Sequence, residues 1–180
     1  YQRKYFISYP DSVMVMKFTA NQSGKQNLIL SYCPNSEAKS NLRADGKDGL
    51  VYTGVLDNNG MKFAFRIKAI HKGGTLEAEN DRLIVKGADE VVFLLTADTD
   101  YKMNFNPDFK DPKTYVGNDP EQTTRIMMDQ AVQKGYDELY RNHEADYTAL
   151  FNRVRLQLNP DISTPNLPTY QRLANYKKGT

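Results

Sequence analysis

Leu50-Val51-Tyr52-Thr53-Gly54-Val55-Leu56-Asp57-Asn58-Asn59-Gly60-Met61-Lys62-Phe63-Ala64-Phe65-Arg66-Ile67-Lys68-Ala69-Ile70 decides the fold class. Two runs rich in β-branched and aromatic residues flank Asp57-Asn58-Asn59-Gly60, and Asn and Gly tolerate the positive φ that a tight hairpin needs. In the second run Phe63, Phe65, Ile67 and Ala69 alternate with Lys62, Ala64, Arg66 and Lys68. A period of two predicts a strand with an aromatic face inward and a basic face toward water.

The same signals recur on either side. Tyr5 to Ser8 and Ser12 to Thr19 read as strands separated by the turn Tyr9-Pro10-Asp11, and Leu28 to Tyr32 follows. A polar loop is expected from Pro34 to Gly49. Gly73-Gly74 turns the chain into Thr75 to Ala78, then Leu83 to Val85. Val91 to Ala97 is continuously apolar, as in a central strand covered on both faces. Many short strands with turns between them predict a mostly β fold, an antiparallel β-sandwich. Met103 to Gly117 has no periodicity.

The tail changes character. Asp119-Pro120-Glu121 is a helix start, and Gly135 is a natural stop. A second helix places Tyr136, Leu139, Tyr140, His143, Tyr147, Leu150 and Phe151 on one stripe. Val154, Leu156 and Leu158 alternate with polar residues and predict a final strand. Pro160, Pro165 and Pro168 then predict an extended linker. The expected organisation is a sandwich portion over 1–118, a helical linker with its final strand over 119–159, and an extended segment over 160–180.

Composition narrows the function. The 180 residues are 39% hydrophobic and 11% aromatic, as in a globular protein able to bury a core. The net charge is +2 with scattered cations, whereas phosphate-backbone binding needs a clustered basic face, so nucleic acid is not an expected partner. No apolar run approaches the roughly 20 residues that cross a bilayer, and no membrane partner is expected. The single Cys33 excludes an internal disulfide, and a half-buried thiol beside a turn is expected there. The chain opens on Tyr1-Gln2-Arg3-Lys4-Tyr5-Phe6, without Met or a signal-peptide core, and is expected to start mid-strand as a piece of something longer.

A search for chemistry finds no catalytic set. His71 and His143 have no partners at metal-ligand spacing, so no metal and no cofactor is expected, and His143 on an apolar stripe reads as a packed histidine. Glu77, Glu79 and Asp81 read as solvent-facing charge. Asp98 and Asp100, two residues apart at a strand end, would point the same way, beside Tyr101. Paired carboxylates at a strand end suit a sugar-binding or a calcium site, and beside an aromatic ring these three are the candidate glycan-contact residues, although solvated strand-end acids are the plainer reading.

Read together, the segments resemble a known family. Tyr1-x-Arg3-x-Tyr5-Phe6-x-Ser8-Tyr9-Pro10-Asp11-x-Val13 is similar to a segment of glycoside hydrolase family 95, the α-L-fucosidase-like enzymes. Gly49-Leu50, Asn59-Gly60-Met61-x-Phe63, and Gly87-Ala88-Asp89-Glu90 leading to Leu94-Leu95-x-Ala97-x-Thr99 continue it in order. The tail adds His143-x-x-Asp146-Tyr147-x-x-Leu150-Phe151-x-Arg153-Val154, then Pro168-Thr169 and Arg172-Leu173. The resemblance implies the later part of an N-terminal β-sandwich domain of super-sandwich type, incomplete here, with unpaired edges open to self-association, and its helical linker. The family's (α/α)6 catalytic barrel, with its catalytic carboxylates, would be absent, so no catalytic residue carries over.

The implied function is a non-catalytic accessory domain that packs on and positions the catalytic barrel of the same polypeptide. Tyr140, His143 and Tyr147 are the candidate domain-interface residues. The alternative is an autonomous glycan-binding module that uses exposed tyrosines, with an oligosaccharide as ligand. The parent enzyme would be exported, by analogy with the family. The family's common Ser-Pro-His stretch reads Cys33-Pro34-Asn35 here, so no role of that His transfers.

Overall fold

The computed structural model describes residues 1–33, 38–79, 81–156 and 167–178. Among these, nine strands form two antiparallel sheets. The strands are β1 (Gln2–Ser8), β2 (Val13–Thr19), β3 (Gln26–Ser31), β4 (Ala38–Ala44), β5 (Gly49–Leu56), β6 (Lys62–Lys72), β7 (Thr75–Ala78), β8 (Arg82–Ala88) and β9 (Glu90–Thr99). The larger sheet runs β1-β2-β9-β6-β5-β4 and the smaller β3-β8-β7. Helix α1 (Pro120–Phe151) and helix α2 (Thr169–Lys177) follow. The mostly β, antiparallel sandwich expected from the alternation is the observed fold.

The hairpin at Asp57 to Gly60 closes as its residues require. Gly60 adopts φ 72°, its amide donates to the Leu56 carbonyl at 3.0 Å, and Asn59 Oδ1 accepts from the Met61 amide at 2.9 Å. From there the register pairs Tyr52 with Phe65 and Leu50 with Ile67. These side chains face the small sheet, where Leu50, Ile67, Ala69 and Phe93 pack with Leu83, Val85 and Ala88 in one hydrophobic core. β9 lies between β2 and β6, and Val91 to Leu94 are all buried, as a strand covered on both faces must be.

The second cover is α1, and it overturns one expectation. The opposite face of the large sheet is not turned to water: Phe6, Val13, Val15 and Leu94 pack there against Met128, Ala131 and Leu139 of the helix. Arg66, expected on a solvated basic face, is 2% exposed and ion-paired with Asp45. Thr96, its neighbour across the strands, donates to the Thr124 carbonyl at 3.0 Å. Lys62 alone keeps the exposure that alternation predicts, and Lys68 is half-buried beside Asp48.

Other differences have local causes. The polar stretch expected as a loop contains β4, an edge strand with only Leu42 packed against the core, so its composition resembles a loop. Residues 34–37 of that stretch lie outside the description. Cys33 is exposed, not half-buried. Residues 154–156 are not in a strand, and 157–166, including Leu158, Pro160 and Pro165, lie outside the described residues. The segment expected to be extended over 160–180 carries α2, which starts directly after Pro168, a residue unable to continue a helix backwards but compatible with opening one.

The chain divides into two compact units, Tyr1–Thr148 and Ala149–Thr180. The first holds both sheets and most of α1. The second holds the end of α1, where the Arg153 amide donates to the Leu150 carbonyl at 3.1 Å, and α2 with Tyr170, Leu173 and Tyr176 exposed.

Candidate functional site

Two places in the first unit gather side chains with chemical potential. One is the seam between the β1–β2 turn and α1. Asp119 caps the helix start, its Oδ1 accepting from the Glu121 amide at 3.0 Å, and Pro120 occupies the first turn. At Gly135 the backbone leaves the helix with φ 73° and ψ 170°, so the expected stop is a sharp break between two helical halves. That conformation is essentially reserved for glycine.

The break is held by the turn Ser8-Tyr9-Pro10-Asp11. The Ser12 amide closes it on the Tyr9 carbonyl at 3.2 Å. The Asp11 carboxylate, 2% exposed, accepts from Ser8 Oγ at 2.5 Å and from Lys134 Nζ at 2.7 Å. Asn142 Nδ2 donates to both of its oxygens, at 3.1 and 3.3 Å. Lys134 ends the first helical half and Asn142 belongs to the second, so one carboxylate ties both halves to the sheet. Burial opposes its ionisation, but the hydrogen bonds from Lys134, Ser8 and Asn142 outweigh that and hold the pKa below the ordinary value. Sequence reading treats this stretch as a turn only; the signal for its second role is an Asp placed after Pro in a motif shared with a family.

Beside Asp11 lies a string of rings. Phe6 meets Tyr136 and Tyr140 edge-on at 5.9 and 5.6 Å, and stacks on His143 at 5.0 Å. His143 stacks in turn on Tyr147 at 5.8 Å. Lys17 Nζ sits 4.2 Å from the centre of Tyr136, whose phenol burial pushes its pKa up. The three candidate interface residues are therefore brought together on one helical face. His143 is half-buried as a packed histidine, while Tyr140 and Tyr147 keep substantial exposed surface.

The second place is a cleft of about 250 Å³ whose lining includes Asn59, Met61, Asp100, Tyr101, Pro112 and Tyr115. Tyr101 bridges Val116 in backbone pairing and stacks on Tyr115 at 5.9 Å and 21°. Asp100 is buried, with Oδ1 accepting from the Lys62 amide at 2.9 Å. Asp98 is not among the lining residues; it lies within β9, opposite Ala64, and its Oδ1 accepts from the Thr99 amide. The expected parity therefore fails, because the chain turns out of the strand after Thr99 and the two carboxylates are used separately. Among the cleft residues that sequence reading misses is Tyr115, which comes from a loop with no periodicity.

Glu77, Glu79 and Asp81 are exposed, the last two around Arg82. Among the described residues no group of three or more His, Cys, Asp or Glu is placed to hold a metal, and no helix is long and apolar enough to cross a membrane.

Residues 1–104 match the model described as glycosyl hydrolase family 65, N-terminal domain. The chain belongs to that family. Residues 135–180 match the glycosyl hydrolase family 95 catalytic domain, so the resemblance to family 95 stands, and the catalytic-domain match begins at the Gly135 break. Over 98% of its length the chain is 26% identical to a probable alpha-fucosidase A of Aspergillus niger and 27% identical to alpha-L-fucosidase 2 of Arabidopsis thaliana. It spans 23% and 24% of those proteins, about a quarter of their length. This family 65 N-terminal domain thus carries, from Gly135 on, a segment related to a glycoside hydrolase catalytic domain, and the half of α1 bearing Tyr140, His143 and Tyr147 falls inside it.

Proposed function

We propose that the chain is a non-catalytic part of an α-L-fucosidase-like glycoside hydrolase that packs on and positions the catalytic barrel of the same polypeptide. The observation that carries this is the coincidence just described. Half-exposed rings at Tyr140 and Tyr147, pre-aligned by His143 and Phe6, sit where the catalytic-domain match starts. Aromatic side chains with few rotatable bonds give large contact area at low entropic cost, which suits a domain interface. The Asp11 tie fixes their direction by holding the broken helix to the sheet.

In this role the chain supplies no acid and no base. Inverting glycoside hydrolysis needs two carboxyl groups about 6.5–9.5 Å apart across a sugar, and here the barrel would hold them. The parent enzyme would act on α-linked fucosyl groups, as the names of its relatives say of them, and would be exported to reach its glycans.

The test is fucose release from an α-fucosylated oligosaccharide, together with calorimetric binding of this chain to the separately produced remainder of the polypeptide. Release by the complete protein alone, and binding weakened at least tenfold by Tyr140→Ala with Tyr147→Ala, are the expected results. Release by the 180-residue chain, or no binding to the remainder, would overturn the proposal.

A further inference from the structure

The tyrosine cleft lies apart from the helix seam, and the accessory role makes no use of it. Its construction is that of a small polyol site. Tyr101 is 50% exposed, and its ring is braced by stacking on Tyr115 and by a contact from its hydroxyl to Met103 Sδ at 3.4 Å. The loop that carries Tyr115 is fixed in turn: its carbonyl accepts from the Lys102 amide at 2.8 Å, and Asn104 Nδ2 donates to Thr114 Oγ1 at 2.9 Å. An exposed aromatic ring held on one face by Tyr115 and at its hydroxyl by Met103 is a platform whose orientation costs little at the moment of binding.

Asp100 supplies the polar half. It is 7% exposed, one oxygen is taken by the Lys62 amide, and no described residue donates to the other. Its second oxygen is not among the buried atoms left without a partner, so the carboxylate keeps a solvent-facing acceptor in the cleft for a ligand hydroxyl or a water.

We infer that this cleft binds a single pyranose ring, its apolar C–H face against Tyr101 and a hydroxyl donating to Asp100. A flat apolar face with hydroxyls at its rim matches an aromatic platform beside an acceptor. The volume of about 250 Å³ admits one small ring, not a chain of them. The choice of a fucoside as probe rests on the proposed function; the site itself does not.

The experiment is a titration of the isotope-labelled 180-residue chain with methyl α-L-fucopyranoside, and separately with methyl α-D-glucopyranoside, followed by amide chemical shifts. The absence of the barrel leaves this readout independent of domain docking, so a failure here leaves the accessory reading intact. Saturable shifts confined to the Asn59–Met61 and Asp100–Val116 amides are expected with at least one glycoside, with a dissociation constant on the order of 1–10 mM. Tyr101→Ala, a substitution at a half-exposed position, is expected to weaken this at least tenfold, and Tyr9→Ala, at an exposed position on the β1–β2 turn, to leave it unchanged. Absence of saturable shifts with both glycosides, shifts elsewhere in the protein, or binding that survives Tyr101→Ala would overturn the inference.

Discussion

The two halves of α1 differ more than their shared helical conformation suggests. Between Pro120 and Lys134 the helix buries Thr124, Met128 and Ala131, at spacings of four and three, flat against the large sheet. After Gly135 only Leu139 is fully buried, and the neighbouring turns present Tyr140, His143 and Tyr147. The first half finishes the core that the strands began. The second is anchored by Leu139, by Tyr136, Tyr140 and His143 against Phe6, and by Asp11, and leaves Tyr140 and Tyr147 partly exposed. A broken helix can therefore serve two masters, which an unbroken one of the same length cannot, because its stripe would stay on one face.

The comparison is broken most severely at its anchor. Leu139→Ala empties a site of zero exposure that is packed among Phe6, Val13, Val15 and Met128, and is expected to cost about 3 kcal/mol. Chemical denaturation of the variant checks it. A loss near that of an exposed leucine would mean that the second half is not docked through Leu139. Next comes the joint: Gly135→Ala must hold a side chain at φ 73° and ψ 170°, and a loss of about 2 kcal/mol is expected. Beyond the adjoining helix backbone no atom lies within contact distance of the added Cβ, so the effect would be one of backbone conformation.

Most of this was legible in the residues, and the exceptions share a cause. Turn chemistry at Asn59-Gly60 and alternation in β5 and β6 need no tertiary information, so hairpin, sandwich and helix break were all readable. Arg66 was misread because a period of two says which face a residue takes, not what covers that face; α1, more than fifty residues later, covers it. β4 was missed because an edge strand with one inward apolar residue has almost no hydrophobic period. The gathering of Tyr140, His143 and Tyr147 on one helical face was legible from helical spacing. Tyr115 was not, since only the loop's own hydrogen bonds bring it beside Tyr101. The pairing of Asp98 with Asp100 failed for the same kind of reason, as strand parity ends where the strand does.

The Asp11 tie sharpens the contrast through pH. A carboxylate with a lowered folded pKa contributes stability that is present above its unfolded value of about 3.9 and is lost as pH falls through the folded value. Asp11→Asn removes the ion pair with Lys134 and is expected to cost about 1.5 kcal/mol at pH 7. The variant's stability should also fall less steeply than the native protein's below about pH 4. It should not become flat, because Asp89, held by Ser23 Oγ and the Gly24 amide, also has a lowered pKa. An acid limb unchanged from the native protein would mean that the two helical halves are held by packing alone.

The smallest effect on stability is expected at the outermost ring. Tyr147 is half-exposed and stacks on His143, so Tyr147→Ala should cost under about 1 kcal/mol in denaturation. If the second half of α1 finished the core as the first half does, the cost would instead reach the 3 kcal/mol range of a buried aromatic. The informative quantity is therefore the ratio of two losses in one variant. A small loss of stability beside a large loss of binding to the catalytic portion identifies a ring placed for a partner. Equal, small losses in both would return the stripe to ordinary surface, and the break at Gly135 would then need a purely structural reason, which the Asp11 tie could provide.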